Sequence, residues 1–268
     1  MLRQRVLSAL WFVPLSVSLI LIGGVPYALG VGIMLLIAGW ELDGVFRKAG
    51  YGTFRPVLYG GISALALIPL TIGQLPIFLT VTLLLVAAAL GMMGGYGRGE
   101  TAAVLHFGFT LVGVFYLGWL GGHLIWLRTF PNGELWTLIG VLAIGVGDAG
   151  AYFVGSAIGR HKLAPLLSPG KTWEGYLGGV VFATLTAFGL AILATLLGRA
   201  VSPPMAALIG MAGGIFSPLG DLAMSVVKRA AGVKHFSLIL AGHGGVLDRI
   251  DSILFGVPIC VYLLLLLG

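Results

Sequence analysis

The chain has 268 residues, 59% hydrophobic and only 9% charged, with a mean hydropathy of +1.08. Soluble domains carry roughly a quarter charged residues, so this composition excludes an ordinary globular protein. The formal net charge of +6 is read as membrane topology and not as a nucleic-acid surface. Cys260 is the only cysteine, which excludes a disulfide within the chain and argues against a thiol metal site.

Apolar runs recur at close to the roughly 20 residues needed to cross a bilayer. Residues 1–24 resemble a signal peptide in outline, but no small-residue cleavage site leading into a soluble domain follows, so they read as a first span. Nine spans are expected, near 6–24, 27–46, 57–73, 76–94, 102–127, 135–158, 176–198, 204–227 and 250–267. Gly and Pro punctuate them, as at Gly23-Gly24-Val25-Pro26 and Gly73-Gln74-Leu75-Pro76. With the N-terminus inside, thirteen of the fifteen Lys and Arg fall in cytoplasmic segments and only Arg128 and Arg199 outside, the bias of the positive-inside rule. The expected fold class is therefore an all-α polytopic membrane protein of about nine helices, N-terminus cytoplasmic and C-terminus outside.

Chemistry is distributed unevenly along this chain. Residues 1–140 hold Glu41, Asp43, Glu100 and Glu134, all near expected span ends, and read as scaffold. Residues 141–268 hold Asp148, Glu174, Asp221, Asp248 and Asp251 and read as the functional half of one membrane unit. Glycine-rich runs such as residues 91–97 and 117–123 suit close helix packing better than ligand contact. His106 and His123 read as helix-contact residues.

Three segments carry the polar groups. In the eighth span Ser217, Asp221, Ser225 and Lys228 fall within about 80° of one another at about 100° per residue, one polar stripe on an apolar helix. An ionised Asp facing hydrocarbon costs several kcal/mol, so Asp221 needs a partner or a metal; a neutralising Lys or Arg is the plainer alternative. In the ninth span Asp248 and Asp251 lie one turn apart, where helix capping accounts readily for one acid. Just before them, Gly242-His243-Gly244-Gly245 supplies backbone that can approach a phosphate closely. The third segment is the loop Arg160 to Gly175, in which Lys162, Lys171, Ser168, Thr172 and Gly170 suit phosphate binding. Its bland alternative is a basic anchor for lipid headgroups. Asp148, just ahead of it, also needs an interior partner.

Carboxylates with no cysteine cluster indicate a hard cation such as Mg²⁺, held partly by substrate phosphates. Together with the basic residues they form the equipment of phosphoryl or nucleotidyl transfer, which works by positioning and charge neutralisation. The location at helix ends suggests a lipid and a soluble polyphosphate as substrates.

Ser225-Val226-Val227-Lys228-Arg229, then Lys234, then Gly242 to Asp251, resembles the signature of the phosphatidate cytidylyltransferase (CDP-diacylglycerol synthase) family. Gly147-Asp148 with Gly150 and Tyr152, and Ser168-Pro169-Gly170-Lys171-Thr172-Trp173-Glu174-Gly175, resemble two further family motifs. The resemblance covers about residues 145–258. It departs from the family where His235 replaces an Asp, Met224 a Glu and Ala241 a Pro.

The resemblance implies that CTP and phosphatidic acid give CDP-diacylglycerol and pyrophosphate in the inner membrane of a bacterial cell. It implies Mg²⁺ on Asp221 and Asp248, with Asp251 in support, and allows a second, monovalent or divalent cation. Lys228, Arg229 and Lys234 would act at the reacting phosphates. Asp148, Ser168, Lys171, Thr172, Glu174, Ser225, Gly242, His243, Gly244, Gly245 and Arg249 would bind substrate. It implies a homodimer among membrane lipids and no nucleic-acid partner. The rivals are a cytidylyltransferase for another lipid phosphate and, in a different class, a cation- or proton-coupled transporter using Asp148, Asp221 and Asp251. The contiguous Asp-rich helix motif of CDP-alcohol phosphotransferases is not found.

Overall fold

The structure is a computed structural model that describes residues 14–71, 75–239 and 244–268. Arg3 and Arg5, and Ala241, Gly242 and His243 of the glycine-rich turn, lie outside the described residues. Nine helical segments are present among the described residues: α1 (14–22), α2 (Gly24–Lys48), α3 (Arg55–Leu70), α4 (Leu75–Gly97), α5 (Ala103–Thr129), α6 (Gly133–Ile158), α7 (Trp173–Leu196), α8 (Pro203–Ala230) and α9 (Leu247–Leu267). Seven of them are long and apolar enough to cross a membrane; α3 is a shorter apolar helix. The chain is a multi-pass membrane protein. Helices dominate because a lipid-exposed backbone must satisfy its own hydrogen bonds.

The expected loop at 160–175 has regular structure. Lys162–Ala164 (β1) and Ser168–Thr172 (β2) pair antiparallel, with Lys162 opposite Thr172 and Ala164 opposite Ser168. The hairpin leads directly into α7: Thr172 is its N-cap, and its hydroxyl accepts the Gly175 N–H at 3.2 Å. A hydroxyl there satisfies a donor that a helix start leaves without an intrahelical partner.

The chain divides into two compact units. The first comprises Gly24–Trp126 and Val227–Asp248; the second comprises Pro14–Gly23, Leu127–Val226 and Arg249–Gly268. In the first, Leu35, Leu42, Leu58, Ile62, Leu65 and Leu117 are fully buried. Glycines let these helices meet at backbone distance: a Cβ on Gly118 would lie 3.0 Å from the Ile62 Cα, and one on Gly122 3.1 Å from the Leu65 carbonyl. The α5 span contains a π-helical segment, Val114–Trp119. After it, buried His123 meets the rings of Trp119 and Trp126, and its Nδ1 lies 2.8 Å from the Trp119 carbonyl.

In the second unit, α6 and α7 form a hairpin joined along a seam of small residues. A Cβ on Gly147 would lie 3.1 Å from both the Gly179 carbonyl and the Ala183 Cβ, and one on Gly175 2.6 Å from the Ala151 carbonyl. The next helix packs equally closely, for a Cβ on Gly210 of α8 would come 2.5 Å from the Ala183 carbonyl. Lipid chains are as apolar as Leu, so close van der Waals packing of small residues is what holds such helices together. At the start of α6, Glu134 pairs with Arg199 and with Arg128, the latter at 3.6 Å. The two bases expected outside the membrane thus share one end of this unit, some 36 Å from the other end of α6 at 1.5 Å rise per residue.

Gly210→Val should overpack the α7–α8 seam by about 1–3 kcal/mol and lower the thermal midpoint in detergent by roughly 5 °C. Gly189→Ala, with open space around that position, should leave the midpoint unchanged or slightly raised. Thermal unfolding followed by tryptophan fluorescence checks both.

Candidate active site

The second unit carries one group of polar side chains inside its spans. The hairpin places Lys171 beside α8, where its Nζ lies 2.6 Å from Asp221 Oδ2. Its neighbour Thr172 faces inward, where a Cβ on Gly159 would meet it at 2.6 Å. Alternation along β2 therefore turns Lys171 the other way. Asp221 also receives the Ser225 hydroxyl, one turn later on α8, at 3.5 Å. Asp148 of α6 has Ser252 as its side-chain hydrogen-bond partner and Lys171, Asp221 and Arg249 as neighbouring charges. Asp148, Lys171, Asp221 and Arg249 thus form a group of two acids and two bases. Asp251 is buried, and its Oδ1 accepts the Ser252 N–H at 2.8 Å. Ser217, the first member of the expected stripe, is also buried.

Glu174 serves the hairpin. Its carboxylate accepts the N–H groups of Arg160 at 3.1 Å and His161 at 3.3 Å, and contacts His161 Nδ1 at 2.6 Å. Glu174 and the Thr172 cap hold the two ends of the hairpin against the start of α7. Ser168 sits at the other end of β2, opposite Ala164.

The first unit carries a second group, at the start of α9. Asp248 is buried and surrounded by donors: Lys228 Nζ at 2.7 Å from Oδ1, and the N–H groups of Phe236 and Gly245 both at 3.0 Å from Oδ2. Lys228 also lies over the Phe236 ring, 5.2 Å from its centroid, a cation–π contact. His235 Nδ1 is 3.7 Å from Asp248 Oδ2. The imidazole at this departure from the resembled pattern therefore stands beside the carboxylate. Gly244 has φ +81°, and a Cβ there would come 2.9 Å from Asp248 Oδ2; glycine alone suits that position. Arg229 and Lys234 are exposed, while Met224 of α8, another departure from the resembled pattern, is buried.

One acid in this group stands in the sequence only as a span-end residue. Glu41 of α2 is 1% exposed and accepts the Val246 and Leu247 N–H groups at 2.9 and 2.7 Å and the Ser237 hydroxyl at 2.5 Å. Its one signal in the sequence is a carboxylate inside an apolar run. A third charged group, on the same helix, is the buried Asp43, which accepts Thr53 Oγ1 at 2.5 Å and binds Arg47 and Arg55 through their Nε atoms at 3.1 and 2.9 Å.

Among the described residues no three His, Cys, Asp or Glu side chains converge as a ready-made metal cage. The candidate donors are the carboxylate oxygens of Asp221 and Asp248, each paired with a lysine. Such a set fits a hard cation that draws most of its ligands from substrate phosphates and water, and does not fit a structural metal.

Comparison with known proteins follows this chemistry. The sequence model of the cytidylyltransferase family matches residues 3–267. A phosphatidate cytidylyltransferase of Pseudomonas aeruginosa is 33% identical, the alignment covering 98% of this chain and 97% of that one. Phosphatidate cytidylyltransferases of Staphylococcus haemolyticus and Synechocystis are 30% and 29% identical, each aligned over 98% of this chain and over 99% and 97% of their own lengths.

Gly244→Ala should strain the backbone and push on Asp248, lowering stability by about 1–3 kcal/mol. Gly232→Ala, also at positive φ (+67°) but with no atom within 4 Å of its added Cβ, should carry only the backbone part of that loss. Thermal unfolding of the two variants side by side measures the difference.

Proposed function

We propose that this chain, which belongs to the cytidylyltransferase family, transfers a cytidylyl group from CTP to phosphatidic acid, giving CDP-diacylglycerol and pyrophosphate for phospholipid synthesis. The observation that carries the reading is the Lys171–Asp221 pair. It joins the Ser168–Thr172 hairpin to the polar face of α8, so two motifs far apart in sequence meet.

In this reading a phosphatidate oxygen attacks the α-phosphorus of CTP in line, and the bond to pyrophosphate breaks. The lipid phosphate is largely ionised at neutral pH, its second pKa being about 6, so no strong general base is required. Lys171 is half-buried and Lys228 buried, and each is aimed at a carboxylate. An incoming triphosphate offers each lysine a stronger anion, and the exchange frees Asp221 and Asp248. Those two carboxylates are the residues that would hold Mg²⁺. Bound there, Mg²⁺ supplies positive charge to the developing pyrophosphate. Asp251 supports from the next turn of α9.

Arg229, Lys234 and Arg249 provide further positive charge for the phosphates of either substrate. Ser168, Thr172, Glu174 and Ser225 hold the hairpin and α8 in place, and Gly242 to Gly245 approach phosphate through their backbone. Asp148 sits about 15 Å from the end of α6. A carboxylate at that depth, beside Lys171 and Arg249, supports a polar cleft among the C-terminal helices. In the same reading the cleft faces the cytoplasm of a bacterial inner membrane, the N-terminus is cytoplasmic, and two chains pair.

Purified protein in a detergent–lipid mixture with labelled CTP, phosphatidic acid and Mg²⁺ should release pyrophosphate and CDP-lipid in equal amounts. Absence of both, where the Pseudomonas relative is active, would overturn the reading. Asp221→Asn should lose roughly a hundredfold or more of turnover while remaining folded.

A further inference from the structure

We infer that Glu41 is a positioning residue for the turn that carries Asp248, an inference that rests on the cytidylyl-transfer reading above. Leu247 is the first residue of α9. By accepting the Val246 and Leu247 N–H groups, Glu41 satisfies donors that a helix start leaves without intrahelical partners and sets negative charge against the positive end of the helix dipole.

Asp248 takes the neighbouring donors, the N–H groups of Gly245 and Phe236. The two carboxylates therefore divide the turn between them: Glu41 holds 246, 247 and the Ser237 hydroxyl, and Asp248 holds 245 and 236. Shifting either acid shifts the frame in which Asp248 meets Lys228. The fit is tight, since a Cβ on Gly245 would lie 2.6 Å from Glu41 Oε1.

Among the described residues the three partners of Glu41 are neutral donors, and a group that only accepts suits all three. Glu41→Gln keeps the shape but turns an NH₂ towards at least one donor, and the turn must move to relieve that contact. A substitution on α2, some 200 residues away in sequence, is thereby expected to alter the reaction and not just the fold.

Glu41→Gln and Ser237→Ala are compared with wild type using CTP and phosphatidic acid, with turnover expressed per folded molecule after thermal unfolding. Glu41→Gln should lose about tenfold or more of kcat with the KM for phosphatidic acid unchanged, and Ser237→Ala about threefold, one of three donors being gone. A folded Glu41→Gln within about twofold of wild type, or a loss fully explained by the unfolded fraction, overturns the inference. Should Glu41→Gln not fold, Ser237→Ala decides by the same criterion. If wild type itself makes no CDP-lipid, the transfer reading fails. Hydrogen exchange of the amides at 244–248 then decides about Glu41: faster in Glu41→Gln if it holds the turn, unchanged if it does not.

Discussion

A carboxylate inside a membrane-spanning bundle must be met by donors, because neither hydrocarbon nor a dry protein interior solvates it. Asp248 shows how completely this chain meets that demand. Lys228 supplies the opposite charge and two backbone N–H groups take the other oxygen. Glu41 accepts two amides at a helix start and one hydroxyl among the described residues. Asp43 is held by Thr53 and two arginine Nε atoms, and Asp221 by Lys171 and Ser225. Each acid is thus fixed in place by what neutralises it.

The small-residue seams make that fixing possible. Gly147, Gly175, Gly179 and Ala183 bring α6 and α7 to backbone distance, and Gly210 does the same for α8. The hairpin and its Thr172 cap tie Lys171 to the start of α7. Polar placement in this unit follows from how closely its helices approach. A glycine enlarged far from any charge would move the charges too.

The helices were legible in the sequence because hydropathy over some 20 residues is a strong signal, and Gly23-Gly24 does break the chain where expected. Lysine as the partner of Asp221 was readable as the plainer alternative, and helix capping as one role of Asp248; both interactions are present. The β-hairpin was not legible, because Lys162–Ala164 and Ser168–Thr172 are short and lack the alternation that marks a strand. Glu174 gave no hint that it would clasp Arg160 and His161. Glu41 was the largest omission, and the reason is physical: its partners lie about 200 residues away, and no local spacing encodes such a contact.

Pairing makes these charges tolerable within the helices, and the Lys228–Asp248 pair is where its strength can be measured. A double-mutant cycle with Lys228→Met and Asp248→Asn, read by thermal unfolding in detergent, measures the coupling. Each single change should destabilise by about 3–5 kcal/mol, because it leaves one buried group without its partner, and the double change by much less than their sum. Additive losses, or single losses under about 1 kcal/mol, would show that the two charges do not depend on each other.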